Sequence, residues 1–234
     1  MKAPQFSSFV IKTMSYFMTN KKCVIRLLRY KNALHRLKHL GFVKVFSDNL
    51  ADAVGVMATQ VRKDFSLFGI TGNKRGGYQI DVLIQKLDGL LGKSEMQPVI
   101  VVGAGNIGSA LMNYGNFEAQ GIKIAACFDI DPAKIVKNAQ IPILPLGEMK
   151  EFIRASRIRI GIIAVPDQSA QQVLDLMVAA GIRGILNFAP IRLKTAEDCV
   201  INNVNLVLEL ETVIYYILNG LDKRRHDFHE DEKS

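Results

Sequence analysis

The chain of 234 residues has room for one large domain or two small ones, and its hydrophobic fraction of 49% supplies a proper core, which excludes a disordered chain. Its net charge of +8 is unevenly divided: residues 1–97 carry 16 Lys and Arg against 6 Asp and Glu, whereas residues 98–234 carry 14 against 16. A basic first half joined to a neutral-to-acidic second half points to a polyanionic partner for the first, although a merely solvated basic face would give the same count. Cys23, Cys127 and Cys199 are widely separated and lack metal-ligand spacing, so they read as free thiols of a reducing cytoplasm. Lys12 interrupts the apolar residues near the N-terminus, no small-residue cleavage site follows, and no apolar run is long enough to cross a bilayer. The expectation is a cytoplasmic protein without signal peptide, membrane span or metal.

Residues 1–23 have no steady period and read as a lead-in, with Met18 as an alternative start. Val24 to Leu40 places Leu27, Leu34 and Leu37 on one face of an amphipathic helix, with Arg29, Lys31, Arg36 and Lys38 elsewhere and Gly41 as its stop. A short strand at Val43–Phe46 is followed by Ser47, a suitable N-cap for a helix over Asp48–Val54 that closes at Gly55. The next helix starts near Met57 or Ala58 and runs to Leu67. Two short helices across a tight glycine turn are a helix-turn-helix arrangement, whose second helix enters the major groove. That helix offers a polar set of Gln60, Arg62, Lys63, Asp64 and Ser66, while Val61, Phe65 and Phe68 can pack inward. Gln, Arg and Ser can read base edges and Lys can grip phosphate. Ile70 to Ile80, ITGNKRGGYQI, reads as a glycine-punctuated hairpin with Lys74 and Arg75 near its tip, a cationic wing suited to the minor groove or the backbone. Asp81 then caps a helix to about Leu91, and Lys93–Gln97 is a polar joint.

From Pro98 strands and helices alternate: Val99–Val102, Ser109–Ala119, Ile122–Phe128, a helix near Gly147–Ser156, Arg159–Val165, Gln168–Ala180 and Gly184–Leu186. Such alternation implies a doubly wound parallel sheet with ligands at the strand C-terminal ends. The stretch VVGAGNIG, Val101 to Gly108, fits that place. Gly103 allows the tight turn, Gly105 lets a pyrophosphate approach the backbone and Gly108 lets the helix lie close to the strand. Asp129 ends the next strand about 20 residues on, where such a fold carries its ribose-binding acid. Two further strand ends, Val165-Pro166 and Asn187-Phe188-Ala189-Pro190, complete the candidate site. Leu206 to Leu218, LVLELETVIYYIL, is apolar nearly all round and too short to span a membrane. It needs burial on several sides, against a partner subunit or on its own domain. The tail from Asp222 to Ser234 is charged, and its His226 and His229 read as an incidental polar end.

QVRKDFSLFG, a wing reading NKRGGY, then VVGAGNIGSALMNYGNF, ACFDIDPAK and GILNFAP, in this order across two domains, resemble the Rex family of bacterial redox-sensing transcriptional repressors. The resemblance covers about residues 24–220. It implies a homodimer that binds an AT-rich inverted repeat, answers to the ratio of NADH to NAD+, and exchanges its C-terminal helix between subunits. Carried over by motif, it gives Arg62, Lys63, Ser66, Lys74 and Arg75 to DNA, beside the Gln60 read on the same helix. It gives Gly103, Gly105, Asn106, Ile107 and Gly108 to the pyrophosphate and Asp129 to the adenosine ribose. Tyr114, Val165, Pro166, Phe188, Ala189 and Pro190 fall nearer the nicotinamide or the domain interface. Ala104, Asp131 and Asn187, within the same turn and strand ends, are further candidates for the dinucleotide. Two positions depart from the family pattern: Asn205 stands where an acidic residue is frequent, and Asn32 where an Arg is.

The expected architecture is therefore α/β. A lead-in spans 1–23, a winged helix 24–92, a Rossmann-type domain 98–204, an exchanged helix 205–220 and a charged tail 221–234. One competing reading is an NAD-dependent oxidoreductase with an accessory winged helix. It is weakened because His35, His39, His226 and His229 all lie outside the nucleotide domain and no separate substrate domain follows. The other is a transcription factor sensing a different nucleotide, such as a CoA derivative. A carboxylate at Asp129 disfavours a phosphate on the ribose, which also ranks NADH above NADPH.

Overall fold

The computed structural model describes residues 21–72, 76–91, 96–195 and 198–230. They form two compact units that divide between Glu95 and Met96. The predicted wing tip at Lys74 and Arg75 and the lead-in to residue 20 lie outside the described residues.

The first unit is helical with a two-stranded ribbon. Helix α1 (Lys21–His39) buries Cys23, Leu27, Tyr30 and Leu34, spaced as one face of a 3.6-residue helix. Strand β1 (Lys44–Val45) is shorter than expected. Helix α2 (Ser47–Val54) begins one residue before the predicted start: Ser47 is its first residue, not its cap. Phe46 takes the cap position with extended backbone, and its amide donates to Asn49 Oδ1 at 3.4 Å. Gly55 ends the helix at φ 72°, as a left-handed stop requires. Helix α3 (Ala58–Leu67) follows after a tight turn. Of the segment read as a hairpin over 70–80, residues 73–75 lie outside the described residues. Strand β2 (Tyr78–Gln79) pairs antiparallel with β1, so the wing base is anchored on the segment before α2. Gly77 makes this possible at φ 65°, where a Cβ would strike the Val45 carbonyl. Helix α4 (Ile80–Leu90) closes a core in which Leu50, Val61, Phe65, Leu83 and Leu87 pack with the buried face of α1.

One polar cluster pins α3 to α1. Asp64, which the sequence assigns to the outer polar set, is instead fully buried. Its carboxylate accepts a fork from Arg26 at 2.6 and 2.8 Å, the Tyr30 hydroxyl at 2.9 Å and the Gln60 amide at 2.7 Å. A buried carboxylate survives only with such partners. Burial pushes its pKa up, but the donors reverse the shift and hold it below the ordinary carboxylate range. Burial beside this carboxylate, with the hydrogen bond, raises the Tyr30 phenol. Tyr30 also meets Phe65 edge-on at 5.5 Å, and Phe65 meets Tyr78 at 5.2 Å, so the aromatic packing runs from α1 through α3 to the wing base.

The second unit is a six-stranded parallel sheet in the order β5-β4-β3-β6-β7-β8. Strands β3 (Gln97–Val102) and β4 (Ile122–Asp129) are nearly continuous apolar runs, as a sheet covered on both faces demands. Between them the predicted single helix is two, α5 (Asn106–Met112) and α6 (Asn116–Ala119), broken around Gly115. A short strand β5 (Ile143–Pro145), unpredicted because it holds three residues, leads through a 3₁₀ turn to helix α7 (Met149–Ser156). Strand β6 (Ile160–Ile163) is followed by helix α8 (Asp167–Ala180) and strand β7 (Gly184–Asn187). Strand β8 (Val200–Asn203), also unpredicted, completes the sheet. Cores fill both faces. Ile100, Phe128, Met149, Ile163 and Leu174 lie in one, and Val99, Val101, Cys127 and Ile162 in the other. The chain order reverses between β3 and β6, the switch point at which such sheets hold ligands. Helix α9 (Leu206–Glu230) ends the described chain and extends well past the predicted stop at Leu218.

The Asp64 cluster predicts an acid-sensitive first unit. A carboxyl whose pKa falls on folding adds stability above its unfolded value, near 3.9, and loses that contribution as the pH drops through the folded value. The first unit therefore loses stability below about pH 4. Asp64→Asn, which leaves Arg26 without its partner, costs about 3 kcal/mol at neutral pH and flattens that acid slope. Urea denaturation followed at several pH values reads both effects.

Candidate dinucleotide and nucleic-acid sites

The glycine turn after β3 is built by close backbone approach. Gly103 sits at φ 104°, and a Cβ there would press on the Ala164 carbonyl. A Cβ on Gly108 would run into the Gly103 carbonyl, so the first turn of α5 packs against the strand end only because residue 108 lacks one. A Cβ on Gly105 would meet open space, which leaves that backbone accessible to a ligand. The first-turn amides at Asn106, Ile107 and Gly108 precede the first helical bond, from Ser109 N to the Gly105 carbonyl at 2.8 Å. Such amides, at the positive end of the helix, are suited to a pyrophosphate.

Beside this turn lies a cavity of about 500 Å³ at the C-terminal ends of β3, β4 and β6. Of the predicted residues, Gly103, Gly105, Asp129, Asp131, Val165 and Pro166 line it. Asp129 is buried, and its Oδ2 accepts the Ala104 amide at 2.7 Å while its Oδ1 accepts the Asp131 amide at 2.9 Å. Burial pushes the Asp129 pKa up, but these amides and the nearby Lys134 ammonium hold it below the ordinary range. The carboxylate is thus ionised at neutral pH and keeps acceptor capacity toward the cavity, as a ribose hydroxyl requires. Asp131 has a local duty: its side chain caps the 3₁₀ turn Pro132–Lys134 by accepting the Ala133 amide at 2.9 Å.

Other predicted residues fall elsewhere. Tyr114 is 54% exposed and lines a separate groove with Met112, Phe117 and Ile141. Asn187 is fully buried. Its amide donates to the carbonyls of Ala189 and Ile191 and to Asn203 Oδ1, and accepts the Ala189 amide. It therefore shapes the Phe188–Pro190 turn and ties β7 to β8. Neither it nor Phe188, Ala189 or Pro190 lines the cavity. Lys134, Leu146, Gln172 and Leu176, which the strand-end pattern does not single out, also line it. Lys134 was visible in the quoted motif ACFDIDPAK, but the turn that brings it back to Asp129 was not. Cys127, adjacent in β4, is buried and its thiol is pushed up to about 12 by burial, which makes it a packing residue.

On α3, Arg62, Lys63 and Ser66 are exposed and Gln60 is half-buried against Asp64. A carboxylate only accepts, so the Gln60 amide must turn its NH₂ toward Asp64, which fixes the orientation of the group. Arg62 lies 3.8 Å from Asp48 with both side chains more than half exposed, a screened contact that a phosphate can displace. Arg62 shares one groove with Gly72, Gly77 and Tyr78 of the wing base. Asn32 is exposed beside Arg29 and Arg36 on α1. Asn205 caps α9, its Oδ1 accepting the Leu208 amide at 3.1 Å, a role that an acidic residue also fills. Among the described residues no group of three or more His, Cys, Asp or Glu could hold a metal ion, and no helix is long and apolar enough to cross a membrane.

Residues 21–66 match the family described as "Putative DNA-binding protein N-terminus", and residues 94–191 the family described as "CoA binding domain". The redox-sensing transcriptional repressor Rex of Desulforamulus reducens is 42% identical over 193 residues, covering 82% of this chain and 92% of that protein. Rex of Streptomyces avermitilis is 40% identical over 194 residues, covering 82% and 77%. Among solved structures, the Rex-family repressor RSP in complex with beta-NAD+ and operator DNA aligns at a TM-score of 0.78 with 32% identity, covering 99% of this chain and 100% of that one. RSP in complex with beta-NADH aligns at 0.75 with 33% identity, covering 96% and 99%. On both sequence and architecture, the chain belongs to the Rex family of redox-sensing transcriptional repressors.

Proposed function

We propose that this protein is a homodimeric repressor that binds an inverted-repeat operator when NAD+ is bound or NADH is scarce, and releases it when NADH binds. The observation that carries the reading is the Asp129 carboxylate, held ionised at the strand end beside a glycine turn that leaves the Gly105 backbone open. The residues present fit a dinucleotide. Asp129 accepts from the adenosine ribose, and the amides from Gly105 to Gly108 receive the pyrophosphate. The nicotinamide ring is charged in NAD+ and neutral in NADH, and apolar groups such as Val165 and Pro166 favour the neutral form, since burying an unpaired charge costs several kcal/mol. The relatives' own ligands support this reading, because RSP has been solved with beta-NADH and with beta-NAD+ and operator DNA. The match to a CoA-binding family favours a CoA derivative as a second ligand class. Asp129 speaks against it, as a carboxylate repels a phosphate on the ribose, by a margin that the neighbouring Lys134 reduces.

DNA contact falls to Gln60, Arg62, Lys63 and Ser66 on α3 and to Lys74 and Arg75 in the wing. The winged helix spans 24–92 and the nucleotide-binding domain 98–204. The helix over 205–220 is exchanged between subunits, and a charged tail follows over 221–234. Its ten large apolar residues from Leu206 to Leu218 are 47–69% exposed, more apolar surface than a helix leaves to water without a partner. The protein acts in the cytoplasm, where its operator lies, and as a switch, not an enzyme. A coupling of about 1–3 kcal/mol between cofactor and operator changes operator affinity by roughly 5–150-fold. A rotation of the two recognition helices away from half-site spacing is sufficient to produce it.

Three experiments bear on these assignments. Asp129→Ala removes a charged acceptor and lowers NADH affinity by about tenfold to a hundredfold in a fluorescence titration; unchanged affinity would remove Asp129 from the site. Lys63→Ala weakens all DNA sequences to a similar degree and lowers the salt slope of binding by about 1, measured by anisotropy across ionic strengths. Ile214→Lys on α9 converts a dimer to monomers in light scattering, whereas a variant that remains dimeric would locate the interface elsewhere.

A further inference from the structure

The ribose end of the cavity holds a second charged group that the Rossmann pattern does not require. Asp131 caps the turn Pro132–Lys134 through the Ala133 amide, and that turn carries Lys134 back over the strand end. Its ammonium stands 3.4 Å from Asp129 Oδ2, and both residues line the cavity. The Lys134 side chain is 41% exposed, whereas Asp129 is buried and held by two backbone amides. The carboxylate already accepts three donors from the protein and has room for about one more. A ribose offers two neighbouring oxygens. Asp129 can take a proton from one, which leaves the other to a donor, and the ammonium has two N–H groups left to give.

We propose that Lys134 is a ribose-binding and specificity-determining residue: it donates to the ribose oxygen that Asp129 leaves over, and its charge lets the site admit a 2′-phosphate that Asp129 alone would repel. This inference rests on the dinucleotide reading above and revises one expectation drawn from it. The ranking of NADH over NADPH stands, but the margin is set by a carboxylate–ammonium pair instead of by a bare carboxylate. A phosphate monoester carries a charge near −2, so a cation within about 4 Å matters far more to NADPH than to NADH.

The test is direct titration of the full-length protein with NADH and, separately, with NADPH, for the wild type, Lys134→Met and Lys134→Arg. Methionine keeps the stem and removes the charge, and arginine restores it. The ratio of the NADPH to the NADH dissociation constant should widen about five- to tenfold in Lys134→Met and return toward the wild-type ratio in Lys134→Arg. Thermal unfolding without nucleotide checks that each variant is folded. A ratio that stays the same or narrows in Lys134→Met, with NADH still bound, overturns the role of Lys134 and leaves the dinucleotide reading intact. Binding of neither nucleotide by the wild type overturns both.

Discussion

The Asp129 carboxylate, clamped between the amides of Ala104 and Asp131, links the elements of the nucleotide-binding unit. One oxygen fixes the glycine turn that follows β3, and the other fixes the turn that follows β4. The two loops that frame the cavity therefore share one anchor, and that anchor is charged. The same bonds that position it keep it ionised despite burial. The structure of both loops thus depends on one group, the same one to which the proposed function gives the ribose. The parallel sheet supports it from below, since the reversal between β3 and β6 opens the crevice at the level of Gly103 and Ala164.

The first unit uses a buried carboxylate differently. Asp64 gathers Arg26, Tyr30 and Gln60 and so locks α3 on α1. The locked Gln60 amide offers a defined pattern of donor and acceptor, whereas Arg62, Lys63 and Ser66 on the exposed side remain adjustable. A reader of DNA needs both kinds of residue: phosphate contacts set the register, and oriented groups discriminate bases.

Much of this was legible in the residues. The 3.6-residue spacing of Leu27 and Leu34 located α1, and the left-handed stop at Gly55 located the end of α2. The apolar run ending in Gly103 and the acid at the next strand end both point to the place where the cavity lies. The misreadings have physical causes. Asp64 looks solvent-bound by composition, and only the approach of Arg26, 38 positions away, makes its burial tolerable. Asn187 sits at a strand end where ligands bind, but it closes its own turn and braces β8 through Asn203, a pairing too distant in sequence to anticipate. The three-residue β5 is too short to show alternation. Lys134 needed the cap from Asp131 to be visible as a neighbour of Asp129.

Asn205 and Asn32, the two positions at which the chain departs from the family pattern, do not line the cavity. Asn205 retains the helix cap that an acid would supply but none of its charge, and Asn32 stands among arginines without adding to them. The direct measurement is fluorescence anisotropy of a palindromic AT-rich duplex bound to the protein in excess NAD+, titrated with NADH. Release of the duplex as NADH replaces NAD+, with no release on adding further NAD+, is the result expected. Duplex affinity that is the same with either nucleotide, in protein shown to bind both, would contradict the redox switch.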